Sequence, residues 1–217
     1  MKLAMNLPRL SLPRLYPILD AGVLAAREVE VRAFAEELRR AGVMLVQYRD
    51  KDAGAQTVLR RAEAIAEAFE GSGATLIMND RADLMLLAGW DGVHVGQGDM
   101  APADVRIVAG DGRVIGVSTH TDEQVRAADA SVADYVAIGP VFATGTKLDA
   151  AAVVGLEGVR RARALTSKPL VAIGGITRAN ARSVVDAGAD SVAVISGVFA
   201  PGERVEKVVG DFLALFR

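Results

Sequence analysis

Residues 170–197 read LVAIGGITRANARSVVDAGADSVAVISG, and this stretch decides the fold. It opens on an unbroken apolar run, Leu170–Ile173, which ends at Gly174-Gly175. A helical pattern over Ala179–Ala187 follows, then Gly188-Ala189-Asp190, a second apolar run over Ser191–Ile195, and Ser196-Gly197. A strand that is apolar on both sides has to be covered on both sides, the condition of a parallel sheet flanked by helices. Strand, glycine turn, helix, strand is therefore the unit.

Working outward, six more strand-like runs precede it: Leu15–Leu19, Met44–Tyr48, Thr75–Met78, Gly92–Val95, Val114–Val117 and Tyr135–Ile138. Helical patterns lie between them, at Val31–Ala41, Gln56–Phe69, Asp122–Ala130 and Leu156–Leu165. Phe34, Leu38 and Ala41 share one helical face, as do Leu59, Ala62, Ile65 and Phe69. The entry Gly188-Ala189-Asp190-Ser191-Val192 has counterparts at Gly89-Trp90-Asp91-Gly92-Val93 and Ala133-Asp134-Tyr135-Val136, with a degenerate copy at Ala41-Gly42-Val43. Glycine ends a helix there and the chain turns straight into the next strand. The copies stand roughly two βα units apart, as alternation around a ring would give. Eight strands alternating with helices in 217 residues predict the α/β class and a single (β/α)8 TIM barrel over residues 15–217, after an N-terminal extension, 1–14. A doubly wound open sheet is the competitor, but no G-x-G-x-x-G follows the first strand.

Composition narrows the function classes. The chain is 51% hydrophobic and 24% charged, with a mean hydropathy of +0.27 owed largely to alanine. No apolar run approaches the roughly 20 residues of a membrane span. The first residues carry Lys2, Pro8, Arg9 and Pro13 without an apolar core, so no secretion signal is expected and the cytoplasm is the default location. The absence of cysteine excludes a disulfide framework and a thiol nucleophile. A net charge of −2 and a pI near 5.8 give no general attraction to nucleic acid or to anionic membrane. Any grip on an anion has to be local.

Such local grips are present. Gly174-Gly175 and Ser196-Gly197 end the last two strands, where barrels usually hold phosphate on backbone N–H groups. Across the ring, Gln47-Tyr48-Arg49-Asp50-Lys51 alternates so that Gln47, Arg49 and Lys51 point to one side, toward the mouth. Arginine there offers a planar fork to phosphate and lysine a point charge; a solvated charge run is the plain alternative. Asn79-Asp80-Arg81 and Gly96-Gln97-Gly98-Asp99 put two carboxylates at the tops of adjacent strands. They read either as a Mg²⁺ anchor, completed by substrate oxygens and water, or as a helix cap and a turn residue. Ser118, Thr144, Thr146 and Lys147 supply hydroxyls and an ammonium, the last three on the one long connection, Pro140–Gly155. Of the two histidines, His94 reads as packed in its strand and His120 as either a cap or a catalytic group.

Together, and in order, these motifs resemble the thiamine phosphate synthase family across almost the whole chain. The similarity is carried by Gln47–Lys51, Asn79-Asp80-Arg81-x-Asp83-Leu84, Gly92–Gln97 with Asp99, Gly116–Ser118 with His120-Thr121, Gly139-Pro140-Val141-Phe142 with Thr144, Thr146 and Lys147, and the terminal glycines. The resemblance implies an enzyme, a transferase that joins an aminopyrimidine methyl diphosphate to a thiazole phosphate and releases pyrophosphate. It implies Mg²⁺ on Asp80 and Asp99. It implies pyrophosphate contacts from Arg49, Lys51, Asn79, Ser118 and Lys147, with Arg49, Ser118 and Lys147 catalytic. Gln47 would bind the pyrimidine, Thr144 and Thr146 would cover both substrates, and Gly175, Ile195 and Ser196 would hold the thiazole phosphate. The implied partners are small molecules, with no nucleic acid or membrane and with a homo-oligomer left open. One departure is the loop Phe142–Lys147, where the family has proline before each threonine and this chain has Ala143 and Gly145; closure then costs more ordering entropy. Two rivals remain: a thiazole tautomerase-like relative using His120, and a barrel that binds a phosphate ligand without turnover.

Overall fold

The computed structural model describes residues 11–145 and 152–216. Eight parallel strands close into a barrel in sequence order, the first pairing with both the second and the last. They are β1 (Leu15–Asp20), β2 (Leu45–Arg49), β3 (Thr75–Asn79), β4 (Gly92–Val95), β5 (Val114–Thr119), β6 (Tyr135–Ile138), β7 (Leu170–Ile173) and β8 (Ser191–Val194). Outside run α1 (Ala21–Ala25), α2 (Val31–Arg40), α3 (Ala55–Ala68), α4 (Ala82–Leu87), α5 (Pro102–Ala109), α6 (Asp122–Ala130), α7 (Gly155–Leu165), α8 (Ala181–Asp186) and α9 (Val205–Ala214). The closed ring rules out the open doubly wound sheet. The sequence reading names neither α1, α4, α5 nor α9, and it draws α8 longer than it is. α1 and α4 are too short for an apolar period to show, while α5 leaves Ile107 and Val108 in solvent and so lacks a clean stripe.

Two apolar layers follow from strand alternation. One set of side chains faces the helices; Leu19, Val46, Tyr48, Val93, Ile115, Val136 and Val192 meet Phe34, Leu38, Ile65, Met85, Val125, Val159 and Phe212 there. The other set fills the barrel interior, with Tyr16, Ile18, Leu45, Ile77, Tyr135, Ala137, Val171, Ala193 and Ile195 in one cluster. Large phenols are offset by small neighbours. A side-chain carbon added at Gly116 would lie 2.0 Å from Cζ of Tyr135, so the glycine is the notch that admits that ring.

The repeated aspartate has a definite role. Asp91, Asp134 and Asp190 each precede an even-numbered strand and each accept, through Oδ2, the backbone N–H of the neighbouring odd strand: Leu76, Ile115 and Leu170, all at 2.8 Å. Their own amides donate back to the same three residues' carbonyls at 2.7–3.1 Å. Each pair β3–β4, β5–β6 and β7–β8 is thus stapled at the base of the barrel, away from the loops that carry the site.

Candidate active site

At the carboxyl ends of the strands, register decides which side chains meet. Asp20 and Arg49 are paired positions on β1 and β2, and their side chains form an ion pair. Asp20 is 5% exposed, and its other oxygen caps α1 by accepting from Val23 N–H at 3.0 Å. Two residues on, Lys51 Nζ meets the carboxylate of Asp80. The intervening Asp50 points the other way, where it accepts from the Tyr48 hydroxyl at 2.7 Å and from Arg61 of α3 at 2.7 Å. Burial works against the Asp50 charge, yet Tyr48, Arg61 and two backbone amides hold its carboxyl below the usual range. The alternation read from Gln47–Lys51 is real, and the charges on it are paired rather than free in solvent.

Asp80 lies just past β3 with a positive φ of 61°. It is not the cap of α4, whose capping position is Arg81. Its carboxyl hydrogen-bonds Asp99, which also accepts from the Gly96 amide at 2.8 Å. Burial lifts Asp80 above the ordinary carboxylate range, reinforced by Asp99 and opposed by Lys51. Burial acts on Asp99 too, but the Asp80 hydrogen bond, the Gly96 amide and Lys51 together hold it lower. Two carboxyls in contact need a proton or a cation between them. Among the described residues no group of three or more acidic, histidine or cysteine side chains is placed to hold a metal ion. A pair of carboxylates nevertheless suits a cation such as Mg²⁺, which takes its remaining ligands from water and substrate.

On the other side of the ring, a cavity of about 490 Å³ opens between the ends of β5 to β8. Ser118, His120, Thr144, Gly175, Ile195 and Ser196 line it. Gln47, Arg49, Lys51, Asn79, Asp80 and Asp99 do not; they form a separate charged arc over β2 to β4. Gly175 has φ +63°, and a side-chain carbon there would come within 2.6 Å of the Ala143 carbonyl, so its glycine also seats the loop after β6. Asn79 sits half-buried at the end of β3. Thr146 and Lys147 lie outside the described residues. His120 N–H is held by Gln124, and its Nδ1 donates to the Gly139 carbonyl at 2.6 Å. His94 is buried, as its strand pattern predicts, and contacts Ser118 Oγ at 2.8 Å.

Several residues with clear positions were not singled out from sequence. Asp20 could have been found by setting β1 beside β2 in register. Tyr16 and Tyr135 were visible only as polar-tipped residues at inward positions. Arg178, at the cavity rim, is held by Glu203 and Asp211, a contact that no local spacing signals.

A closed barrel with a cavity and an arc of paired charges at the carboxyl ends of its strands is the arrangement of (β/α)8-barrel enzymes. Comparison with known proteins gives the particular family. The family model described as thiamine monophosphate synthase matches residues 15–198. Thiamine-phosphate synthase of Koribacter versatilis is 49% identical over 201 residues, which cover 91% of this chain and 95% of that protein. Its namesake from Chloroflexus aurantiacus is 44% identical over 187 residues, covering 86% and 85%. The solved structure of thiamine phosphate pyrophosphorylase from Pyrococcus furiosus superposes with a TM-score of 0.81 at 31% identity, covering 93% of this chain and 94% of that one. The chain belongs to the thiamine monophosphate synthase family, and it is a transferase of the TIM-barrel class.

Proposed function

We propose that the chain couples 4-amino-2-methyl-5-pyrimidinylmethyl diphosphate with 4-methyl-5-(2-phosphoethyl)thiazole, giving thiamine monophosphate and pyrophosphate by a dissociative substitution. The observation that carries this reading is the two-sided mouth: a charged arc over β2 to β4 and a glycine-edged cavity over β5 to β8 that Ser118 lines. One side suits an anion that leaves and the other a phosphate that stays. The names of the relatives support the same reaction.

The chemistry asks little acid–base work of the protein. The thiazole nitrogen attacks with its own lone pair, and the aminopyrimidine shares the positive charge at its methylene carbon as pyrophosphate departs. Positioning and electrostatic stabilisation of the leaving group remain. Arg49, Lys51, Asn79, Ser118 and Lys147 would grip the pyrophosphate, and Gln47 the pyrimidine. Thr144 and Thr146 would lie over both substrates, while Gly175, Ile195 and Ser196 would take the thiazole phosphate. Asp80 and Asp99 would hold Mg²⁺, which supplies charge neutralisation for the pyrophosphate. Arg49 and Lys51 arrive already oriented, since Asp20 and Asp80 hold them. The cysteine-free composition supports a cytoplasmic setting, and among the described residues no helix is long and apolar enough to cross a membrane.

The test is to incubate the chain with both substrates and Mg²⁺ and to assay pyrophosphate. Asp99→Ala should lower turnover at limiting Mg²⁺ by about 10²-fold or more, on the scale of a lost electrostatic stabiliser. A near-wild-type rate there sinks the metal role. His120 lines the cavity on an anchored Nδ1, which is the observation favouring the tautomerase reading. If His120→Ala abolishes activity and Lys147→Ala does not, that reading is the correct one.

A further inference from the structure

Through the barrel interior runs a continuous line of polar contacts. Gln47 Nε2 donates to the Tyr16 hydroxyl at 2.9 Å; the Tyr16 and Tyr135 hydroxyls are 3.0 Å apart; Tyr135 Oη lies 2.9 Å from His94 Nδ1; and His94 Nε2 lies 2.8 Å from Ser118 Oγ. The first four side chains are buried, with exposures of 3%, 1%, 0% and 8% in that order along the line. Ser118 alone reaches the cavity.

Donor counting gives the line a direction. The Gln47 amide N–H can only donate, so the Tyr16 oxygen accepts and its own proton goes to Tyr135. Tyr135 then donates to His94 Nδ1, which must be bare. A neutral imidazole with a bare Nδ1 carries its proton on Nε2 and gives that hydrogen bond to Ser118 Oγ. With its oxygen already accepting, Ser118 keeps its own proton for an acceptor in the cavity. The opposite sense would leave the Tyr16 proton without an acceptor along the line. Burial raises both phenols well above their ordinary range, so both stay O–H donors. Apolar residues would fill this space more cheaply, because each buried polar group has to be satisfied. Gly116 nevertheless gives up its side chain to make room for the Tyr135 ring.

We propose that Tyr16, Tyr135 and His94 are positioning residues that form a one-way hydrogen-bond relay, fixing the Ser118 hydroxyl as a donor aimed into the cavity and leaving the Gln47 carbonyl oxygen to accept from the second ligand. The relay ties the two halves of the mouth together: one end sets the acceptor face for an amino group, the other the donor face for an anion. The identity of those ligands rests on the synthase reading; the relay itself does not.

The experiment has one arm independent of turnover. The protein holds only two histidines, so ¹⁵N-histidine labelling gives two imidazole spin systems. At a pH of about 8, above the ordinary histidine range near 6.5, His120 should show a protonated Nδ1 and His94 a protonated Nε2. Tyr135→Phe, which keeps the ring, should convert His94 to a mixture of tautomers while leaving His120 unchanged. Tyr16→Phe serves the same purpose should Tyr135→Phe fail to fold. A wild-type His94 protonated on Nδ1 overturns the relay.

In the second arm, Tyr135→Phe should lower kcat for pyrophosphate release about tenfold, the worth of one hydrogen bond, with the KM values nearly unchanged. In a Ser118→Ala background the same change should cost less than about twofold, because coupled residues are not additive. An equal loss in both backgrounds means that Tyr135 acts on structure alone and overturns the proposal. Absence of pyrophosphate from the wild type would instead overturn the synthase reading, and the histidine tautomers would still decide the relay.

Discussion

Asp20 shows how much one carboxylate settles at the mouth. It caps α1 with one oxygen and holds Arg49 with the other, from a position 5% exposed. Removing it as Asp20→Ala leaves an arginine that is itself largely buried without its partner, and takes a helix cap as well. The expected loss in stability is roughly 3 kcal/mol, read as the unfolding free energy in urea. Arg49 would also lose its aim, so pyrophosphate release should weaken in parallel. If Asp20→Ala unfolds like the wild type, the pair contributes no net stability and only the positioning effect remains. Asp20 lies one residue past the strand read from sequence, Leu15–Leu19, and was not legible, whereas Arg49 and Lys51 were legible by alternation, because a charge in a strand has to point somewhere specific.

Among the elements, the aspartate staples and the tether of α9 carry the clearest expectations. Asp91→Ala, Asp134→Ala and Asp190→Ala each leave a strand amide unsatisfied at the base of the barrel. Each should cost about 1–2 kcal/mol in thermal or urea unfolding, and the three sites lie far enough apart to be nearly additive. None should change KM, since the site is at the other end. The sequence showed the repeat but not its purpose: glycine announced the turn, while the aspartate's partner sits on another strand, beyond any local pattern. α9 is held through Arg178, which binds Glu203 and Asp211, with Lys207 bridging the same two carboxylates. Arg178 and then Lys207 push the Glu203 carboxyl down from 4.5 to about 2. A carboxyl depressed in the folded state stabilises it above its unfolded value and stops doing so as pH falls through the folded one. The tether should therefore be intact above a pH of 4.5 and lost between there and 2. Protection of α9 amides, taken relative to intrinsic exchange, should fall through that window and fall less in Glu203→Gln, which has no carboxyl to protonate at that position, and high salt should blunt the difference because these groups are solvent-accessible. Unchanged α9 protection across that range would show that apolar packing of Val205, Val208, Val209 and Phe212 holds the helix without the tether.

At the scale of the whole molecule, the barrel was legible because eight apolar runs and three stapled entries recur around it. Half of the site was legible for the same reason: Gly175, Ile195, Ser196 and Ser118 fall at strand ends, and strand ends are where a barrel keeps its cavity. What escaped was the interior. Tyr16 and Tyr135 sit in strands read as plain apolar runs, His94 was read only as packed in its strand, and their hydroxyl and imidazole groups meet only because β1, β4 and β6 converge across the lumen. Long-range pairing of this kind has no signature in spacing. The division into a charged arc and a cavity, by contrast, was legible, because the cationic and carboxylate motifs end β2 to β4 while the glycine pairs end β7 and β8.

The staples also show that neighbouring strands need not be fastened at the same end. Asp91, Asp134 and Asp190 stand directly before β4, β6 and β8, but the residue directly before β2 is Met44. Of the four pairs β1–β2, β3–β4, β5–β6 and β7–β8, the one without this aspartate at its base carries Asp20 and Arg49 at its top. Neighbouring strands can be clamped from either end: three pairs are closed by a carboxylate at the base, and β1–β2 by an ion pair at the mouth.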